Sequence, residues 1–475
     1  MTAKGQNGSK PAPPPLRGPV VAIDQNICTG CKECTNICPT LAIEGLIHQP
    51  QKIVEERCVM CGQCVQKCKS YVSIAEHGAA AYDKVRRERG LPESVREPLF
   101  AAYNVCHLDE VKKALADPDV FTVVQCAPAV RVAIAEDFGA PFGTLAAGKL
   151  AAALRRLGFD RVYDTNFAAD VTIMEEGSEL IDRVKNGGLL PMFTSCCPAW
   201  VRYVETKYPD LRHHLSTCKS PQQMEGALMK TYGAKINKVA PEKMYSVSVM
   251  PCTCKQFESG RPEMNDSGQR DVDVVLTTRE LVWLIKDMNI NWDSLPDEAF
   301  DKPLGDYSGA AEIFGVTGGV MEAALRTGYE LLTGEKIPAV DITPVRGTNG
   351  FRTAEVPVGN LTLKVGVVTG LKNVEPVMEA LKAGKLDFHF IEVMTCPEGC
   401  VTGGGQPKLL VDTDQDEAYR ARTSSTYTHD KELPIRKSHE NPSVRKLYDD
   451  FLKKPLGKDS HKLLHTAYAG DHKHH

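Results

Sequence analysis

The sequence contains no run of 18 or more consecutive apolar residues, so we predict no helix that spans a membrane. It also lacks a strong excess of charge, because the formal net charge is −4 over 475 residues. We therefore expect neither nucleic acid nor a membrane as a partner. Residues 1–18 have no apolar core and no twin arginine ahead of one, unlike a signal peptide. We predict a cytoplasmic protein in which residues 1–18 form a disordered leader.

Cysteine, by contrast, is abundant, and its distribution divides the chain. Seventeen cysteines in a long chain without a secretion signal indicate metal sites in a reducing compartment rather than disulfides. Eight of them lie within residues 28–68, and most of the others lie in three short motifs further along. No cysteine follows Cys400, so residues 413–475 must have a different role.

Residues 19–78 contain an internal repeat in which the spacing Cys-x2-Cys-x2-Cys-x3-Cys occurs twice. This is the spacing of bacterial two-cluster ferredoxins, in which three cysteines bind the local cluster and the fourth binds the other one. To one [4Fe–4S] cluster we assign Cys28, Cys31, Cys34 and Cys68. To the second we assign Cys58, Cys61, Cys64 and Cys38. Structural zinc is the alternative, but zinc sites use two separated pairs of ligands, which this spacing fits poorly.

Three later motifs supply further thiols close to proline and glycine. They read Thr194-Ser-Cys-Cys-Pro-Ala-Trp200, Met250-Pro-Cys-Thr-Cys-Lys-Gln-Phe-Glu258 and Glu392-Val-Met-Thr-Cys-Pro-Glu-Gly-Cys400. The third follows a strand-like apolar run and precedes three glycines, 403–405, which allow the backbone to approach a bulky neighbour. The residues alone predict a third iron–sulfur cluster beside a glycine-rich loop.

The three motifs resemble the signatures TSCCPxW, MPCxxKxxE and ExMxCPxGC of the [FeFe]-hydrogenases, in the same order. The resemblance covers essentially all of the chain after about residue 20. It implies an H-cluster, which is a [4Fe–4S] cluster linked to a diiron unit with CO, cyanide and azadithiolate ligands. The ligands that it implies for the [4Fe–4S] part are Cys197, Cys252, Cys396 and Cys400, of which Cys400 also bridges to the diiron unit.

Cys196 stands beside an implied cluster ligand without being one. Ser195 is able to cap, and Pro198 to begin, a helix that runs through Trp200. A thiol near a helix N-terminus has a lowered pKa and exchanges protons near neutral pH. The resemblance implies that Cys196 gives protons to the diiron unit and accepts them from it. From the residues alone, the alternative is an ordinary packing cysteine.

A row of polar residues matches the proton path of the same family. Glu176, Glu179 and Arg183 have the spacing i, i+3 and i+7, which places them on one face of a helix. Without the resemblance, such a row would be a solvated face with salt bridges. The resemblance implies a path with Arg183 and Glu179 at the surface, followed by Ser216, Glu176 and finally Cys196.

Further residues match positions around the family's cofactor. The resemblance implies that the Lys255 ammonium binds a cyanide ligand, whereas elsewhere a lysine would be expected at the surface. The pocket-lining positions are Pro128, Ala129, Gln222, Met250, Phe314 and Met394, of which the apolar ones would also suit an ordinary core. Relatives carry serine where Ala129 stands, so we expect one hydroxyl contact to be missing. Cys254 replaces the usual alanine of the second motif and is expected to be inert.

The fold class that we predict is α/β, with mixed β-sheets flanked by helices. Between residues 119 and 412, helix-like stretches alternate with apolar runs that predict strands at 120–125, 245–250, 273–276, 363–368 and 388–391. The resemblance implies that this H-cluster catalytic domain has two lobes with the active site between them. The other units are an α+β ferredoxin-like domain at 19–78, a connector at 79–118, and a fused small-subunit-like segment at 413–475. This last segment is expected to form two short helices and to wrap the catalytic domain.

The function that the resemblance implies is reversible reduction of protons to H2. Electrons are expected to pass from ferredoxin or a similar soluble carrier through the two accessory clusters, and maturation proteins to deliver the diiron unit. The alternative is a non-catalytic relative that serves in iron–sulfur assembly or sensing. Cys196, Lys255 and Met394 argue against it, because such relatives tend to lose one or more of these residues.

Overall fold

The computed structural model describes residues 19–410 and 413–468. The predicted leader, residues 1–18, lies outside the described residues. Within the described ranges, no helix is both long enough and apolar enough to cross a membrane. The α/β fold class is confirmed, with two four-stranded sheets in the catalytic region and three small sheets at the N-terminus.

Short helices and two-stranded antiparallel sheets form the N-terminal unit. Its helices are Glu33–Ile37, Gln63–Lys67, Ile74–His77 and Ala79–Glu88. Its strand pairs are Val21–Ile23 with Ala102–Asn104, Ile43–Glu44 with Lys52–Ile53, and Tyr71–Val72 with Leu99–Phe100. Residues 99–104 thus complete two of its sheets, so the prediction of a connector over 79–118 was wrong there. Strands of two or three residues are too short to show an alternating pattern in the sequence.

A parallel four-stranded sheet forms the first lobe of the catalytic region. Its strands, in spatial order, are Val274–Thr277, Met244–Met250, Phe121–Cys126 and Arg161–Asp164. Its helices are Leu108–Ala116, Pro128–Arg131, Ala147–Leu157, Thr165–Asn186, Pro221–Leu228, Ala234–Asn237, Cys254–Ser259 and Thr278–Asp287. The strands are largely buried, which explains why three of them appear in the sequence as nearly continuous apolar runs.

A mixed four-stranded sheet forms the second lobe. Its strands, in spatial order, are Phe351–Val358, Leu361–Thr369, Phe390–Met394 and Met192–Phe193, of which only the first pair is antiparallel. Its helices are Pro198–Lys207, Gly309–Glu312, Gly319–Thr333 and Glu375–Lys382. The predicted strands at 363–368 and 388–391 are present with slightly shifted ends. Each sheet packs against its own apolar cluster.

The C-terminal segment differs from the two short helices that we predicted. It contains the helices Gln415–Glu432, Pro442–Leu447 and Lys458–Leu464 and a π-helical turn at Tyr448–Leu452. The 18-residue helix was missed because its buried stripe, at every fourth position, is mostly polar. On that stripe Arg422 pairs with Glu136, and Asp430 pairs with Arg326 at 2.8 Å. Because the buried stripe relies mainly on ion pairs, the sequence shows little hydrophobic periodicity here.

Candidate active site

A cavity is lined mainly by residues that follow strands of both four-stranded sheets. The cysteines of all three motifs follow strand ends, namely those of Met192–Phe193, Met244–Met250 and Phe390–Met394. Of the predicted site residues, the cavity brings together Cys196, Cys197, Cys252, Cys396, Cys400, Lys255, Pro128, Gln222, Met250, Phe314 and Met394. Ala129 is buried next to this lining, and its carbonyl oxygen accepts a hydrogen bond from Gln406 at 2.7 Å.

The four thiols proposed as cluster ligands lie in a dry environment. Burial, followed by repulsion from the Cys197 thiol, raises the pKa of Cys252 to about 11. Burial likewise raises the pKa of Cys400 to about 12. Because thiolates are unstable there without a compensating cation, a buried group of converging thiols fits a cationic iron–sulfur core. A hydrogen bond of 3.2 Å from the Gln63 amide to Cys396 Sγ adds further support for a thiolate.

The glycine-rich loop packs against the N-terminal unit, which the sequence did not reveal. A Cβ atom on Gly404 would lie 2.4 Å from the carbonyl oxygen of Cys61, and one on Gly403 would lie 2.0 Å from that of Pro251. The bulky neighbour expected from these glycines is therefore protein backbone. Since Cys61 also lines the cavity, the close approach brings the N-terminal cysteine loop next to the cavity thiols.

Cys196 occupies an environment different from the one that we expected. The helix begins at Pro198 with Cys197 as its N-cap, and the Ser195 hydroxyl donates instead to the carbonyl of Cys218. Burial and the nearby Glu176 carboxyl raise the pKa of the Cys196 thiol well above its usual value. The accessible part of this side chain faces the cavity. The expectation of a lowered pKa was thus wrong, because desolvation outweighs the helix terminus.

Lys255 lies in the cavity wall rather than at the surface. Its ammonium group donates to the Cys196 carbonyl at 3.0 Å and to the Glu258 carboxylate at 2.9 Å. Burial lowers the pKa of Lys255, but the Glu258 carboxylate outweighs this effect, so the pKa is raised overall. An ammonium has three donors, so one N–H remains for a group in the cavity. Glu258 was not among the predicted site residues. Its position as the last residue of the second motif was the sequence signal that could have identified it.

Hydrogen bonds join several residues of the predicted proton path, but one of these residues is buried where we expected it at the surface. Ser216 donates to Glu179 at 3.0 Å, and Arg183 donates to Glu179 at 2.6 Å. Glu179 is only 8% exposed, so its predicted surface position was wrong. Burial, and next the Glu179 carboxylate, raise the pKa of Glu176 to about 8. Neither oxygen of Glu176 makes a well-formed hydrogen bond within the described residues, although Ser216 lies close enough to lower its pKa slightly.

The cysteines of the N-terminal unit come together in the two groups that we assigned. Cys68 lies close enough to Cys34 for its charge to raise that thiol's pKa, which burial raises to about 11. The Cys38 thiol acts on Cys58 and Cys61 in the same way. In both groups the fourth cysteine thus crosses to the other half of the repeat. Their binding of iron–sulfur clusters remains a prediction.

Comparison with known proteins identifies the family. The family described as "Iron only hydrogenase large subunit, C-terminal domain" matches residues 120–404. The families "Iron hydrogenase small subunit" and "4Fe-4S dicluster domain" match residues 416–470 and 20–69. The chain belongs to the [FeFe]-hydrogenases. The resemblance of the three motifs is thereby confirmed, and the members of this family are iron–sulfur oxidoreductases that act on H2 at an H-cluster.

Several [FeFe]-hydrogenase relatives extend along most of the chain. The NADP-reducing hydrogenase subunit HndD of Solidesulfovibrio fructosivorans is 46% identical, covering 94% of this chain and 74% of that protein. The periplasmic [Fe] hydrogenase large subunit of Nitratidesulfovibrio vulgaris is 46% identical, covering 82% of this chain and 86% of that protein. The structure of a variant of apo [FeFe]-hydrogenase HydA1 from Chlamydomonas reinhardtii matches with a TM-score of 0.66 at 41% identity. That match covers 76% of this chain and 98% of that one.

A more distant relative of this [FeFe]-hydrogenase is named for another role. Cytosolic iron-sulfur assembly component 3 of Mus musculus is 31% identical, covering 76% of this chain and 77% of that protein. The fold is therefore shared with a protein named for iron–sulfur assembly, and the two functions must be distinguished at the cavity.

Proposed function

We propose that the chain catalyses 2H⁺ + 2e⁻ ⇌ H2. The observation that supports this proposal best is the cavity, in which four converging thiols, the Cys196 thiol and the Lys255 ammonium face a largely apolar lining. An H-cluster bound there would supply the redox chemistry by which the H–H bond is made and broken. We propose Cys197, Cys252, Cys396 and Cys400 as its protein ligands, and CO, cyanide and azadithiolate as ligands of the diiron unit.

The remaining cavity residues bind and enclose this group. Lys255, whose positive charge is maintained by Glu258, would hold a cyanide ligand of this group through its remaining N–H. Met250, Met394 and Phe314 exclude water and offer soft, polarisable contacts. Gln222 is held by donating to Glu258 at 3.2 Å, and its carbonyl oxygen makes no hydrogen bond within the described residues.

Proton transfer is assigned to a set of side chains that both give and accept protons. A carboxyl with a pKa of about 8 does this near neutral pH, which suits Glu176 to exchange protons with Cys196. The Ser216 hydroxyl, which donates to Glu179, extends the path outward. Arg183 keeps the Glu179 carboxylate in place by its 2.6 Å hydrogen bond.

Electron transfer is assigned to two accessory [4Fe–4S] clusters in the N-terminal unit. Cys31 is exposed, whereas Cys61 lines the cavity, so the two cysteine groups lead from the surface towards the active site. We propose ferredoxin or a similar soluble carrier as the partner, with maturation proteins delivering the diiron unit and the cytoplasm as the location. The alternative to a ferredoxin-like carrier is a nicotinamide cofactor, because one relative is named NADP-reducing. The alternative location is the periplasm, because another relative is named periplasmic.

Iron–sulfur assembly is the second candidate function, because a relative with that role shares the fold. The experiment that separates the two is infrared spectroscopy on the maturated full chain, combined with an assay of H2 evolution and uptake. The proposed enzyme should show bands of iron-bound CO and cyanide and should turn over H2. A chain that holds [4Fe–4S] clusters after maturation, yet shows neither bands nor turnover, would support the assembly function instead.

A further inference from the structure

The C-terminal segment contacts the proposed proton path through one histidine. Thr217 donates from its hydroxyl to Glu179 Oε2 at 3.1 Å, and the same hydroxyl oxygen lies 2.8 Å from Nδ1 of His465. Nε2 of His465 lies 3.1 Å from the Glu175 carboxylate. An unbroken series of hydrogen bonds thus runs from Glu179 to the segment that follows the catalytic domain.

The directions of these hydrogen bonds determine where the protons sit. The single hydroxyl proton of Thr217 points to Glu179, so the Thr217 oxygen is the acceptor of the hydrogen bond with Nδ1 of His465. Glu175 accepts the Tyr448 hydroxyl at 2.6 Å and the Leu456 backbone N–H at 2.8 Å. It is therefore an acceptor for Nε2–H as well. Both ring nitrogens of His465 thus face a hydrogen-bond acceptor.

This ring packs against a second histidine, which is exposed at the surface. His461, one helical turn earlier, is exposed, and its ring centroid lies 4.4 Å from that of the buried His465. Arg183, at the other side of Glu179, keeps its protons throughout the accessible pH range and is unable to pass one on. Imidazole rings do exchange protons near neutral pH. Of these two neighbours of Glu179, the histidine side is the one suited to deliver protons.

The other titratable group facing His465 does not compete for this proton. Cys218 Sγ lies with the ligand atoms of Glu179 and His465 within 4.8 Å of one another. Burial, and next the Glu179 carboxylate, raise the pKa of the Cys218 thiol well above its usual value. The thiol therefore stays neutral and neither stores nor removes a proton.

We propose that Thr217, His465 and His461 form the proton entrance of this enzyme and join the path at Glu179. The proposal rests on the proposed hydrogenase function and extends it to the C-terminal segment. Nδ1 of His465 gives its proton to the Thr217 oxygen while the Thr217 proton passes to Glu179. The ring then recovers a proton from solvent through His461. Each proton moved inward is replaced by one from water, and H2 oxidation runs the same steps in reverse.

The test compares two histidines of the same segment in the maturated full chain. His465→Gln keeps a hydrogen-bonding side chain of similar length but removes the group that stores and releases a proton. The matched control is His439→Gln, because His439 also contacts a threonine, Thr327 at 3.1 Å, and a glutamate, Glu330 at 2.8 Å. Those residues are not connected to Glu179. Turnover with a small-molecule reductant, the solvent deuterium isotope effect, the iron content and the unfolding temperature are measured for each variant.

We expect His465→Gln to lower turnover by ~10-fold or more, as for loss of a proton-transfer group, and to raise the solvent isotope effect. Thr217→Val should behave in the same way, whereas His439→Gln should match the unaltered chain. Equal turnover in all variants would overturn the proposal. So would equal losses for His465→Gln and His439→Gln with an unchanged isotope effect, because these would indicate a structural role. An unaltered chain that assembles its clusters but makes no H2 would instead refute the underlying function.

Discussion

The N-terminal cysteines and the cavity cysteines serve the same kind of cluster in our proposal, yet the fold supplies them in opposite ways. The N-terminal groups come from two copies of one local spacing on short helices, and one member, Cys31, is exposed. The cavity thiols come from loops after strands of both sheets, and all four line one largely apolar cavity.

The difference follows from what each region has to do. A cluster that only passes electrons needs four thiols, and a local spacing provides them. A cluster that reacts with protons needs a dry enclosure with a few polar groups, which only the packing of distant segments provides. Substitutions confined to one region should therefore alter electron transfer and proton chemistry separately.

The largest effect is expected at the cavity. Cys196→Ala removes the thiol that exchanges protons with the active site, so turnover should fall by ~10² or more. The measurements are H2 turnover and the infrared bands of the cluster. The matched control is Cys254→Ala, which removes a buried thiol of the second motif that we assign no role. Unchanged turnover in Cys196→Ala with a complete cluster would show that another group carries the proton.

The second prediction isolates the N-terminal region. Cys58→Ser removes a ligand of one accessory cluster, so iron should fall by about four from the roughly 14 per chain expected for three [4Fe–4S] clusters and a diiron unit. Turnover with ferredoxin should be lost, and turnover with a small-molecule reductant should survive because the cavity is untouched. If the unaltered maturated chain contained only about six irons, the accessory clusters themselves would be disproved.

The third prediction concerns the contact between the two regions. In Gly404→Ala the new Cβ would lie 2.4 Å from the Cys61 carbonyl and push the N-terminal loop away from the cavity. We expect a loss of stability of about 1–3 kcal/mol, as for overpacking, and ferredoxin-linked turnover reduced more than reductant-linked turnover. Gly328→Ala is the control, since a Cβ there meets nothing within 4 Å. Equal reduction of both activities would mean that electrons do not cross at this contact.

The smallest effect is a pH dependence of stability that arises from Glu176, beside the cavity. The pKa of Glu176 is raised from 4.5 to about 8, chiefly by burial, so the folded state binds its proton more tightly than the unfolded state. Its contribution to stability is complete below pH ~4.5 and is lost as the pH rises towards ~8. Thermal unfolding between pH 5 and 8 should therefore depend less on pH in Glu176→Gln. Parallel pH curves for the two proteins would contradict the raised pKa.

Much of the site was predictable because iron–sulfur ligation leaves short, fixed spacings in the sequence. The cysteine spacing predicted the crossing of Cys38 and Cys68, and the structure places these residues in the assigned groups. The resemblance to the family predicted eleven of the residues that line the cavity, of which eight lie in the three motifs. The helix that carries Glu176, Glu179 and Arg183 was also expected, since the spacing of these residues is helical.

The sequence by itself therefore determined the family, the α/β class and the cysteine groups, because each is a local pattern of residue types. Only the tertiary structure decided the properties that depend on burial and on distant neighbours. Among these are the raised pKa of Cys196, the buried position of Glu179 and the polar helix Gln415–Glu432. The contact of His465 with Thr217 belongs with them, since it joins residues 248 positions apart. Desolvation and hydrogen bonding arise when segments pack together, and neither leaves a periodic signal in the chain.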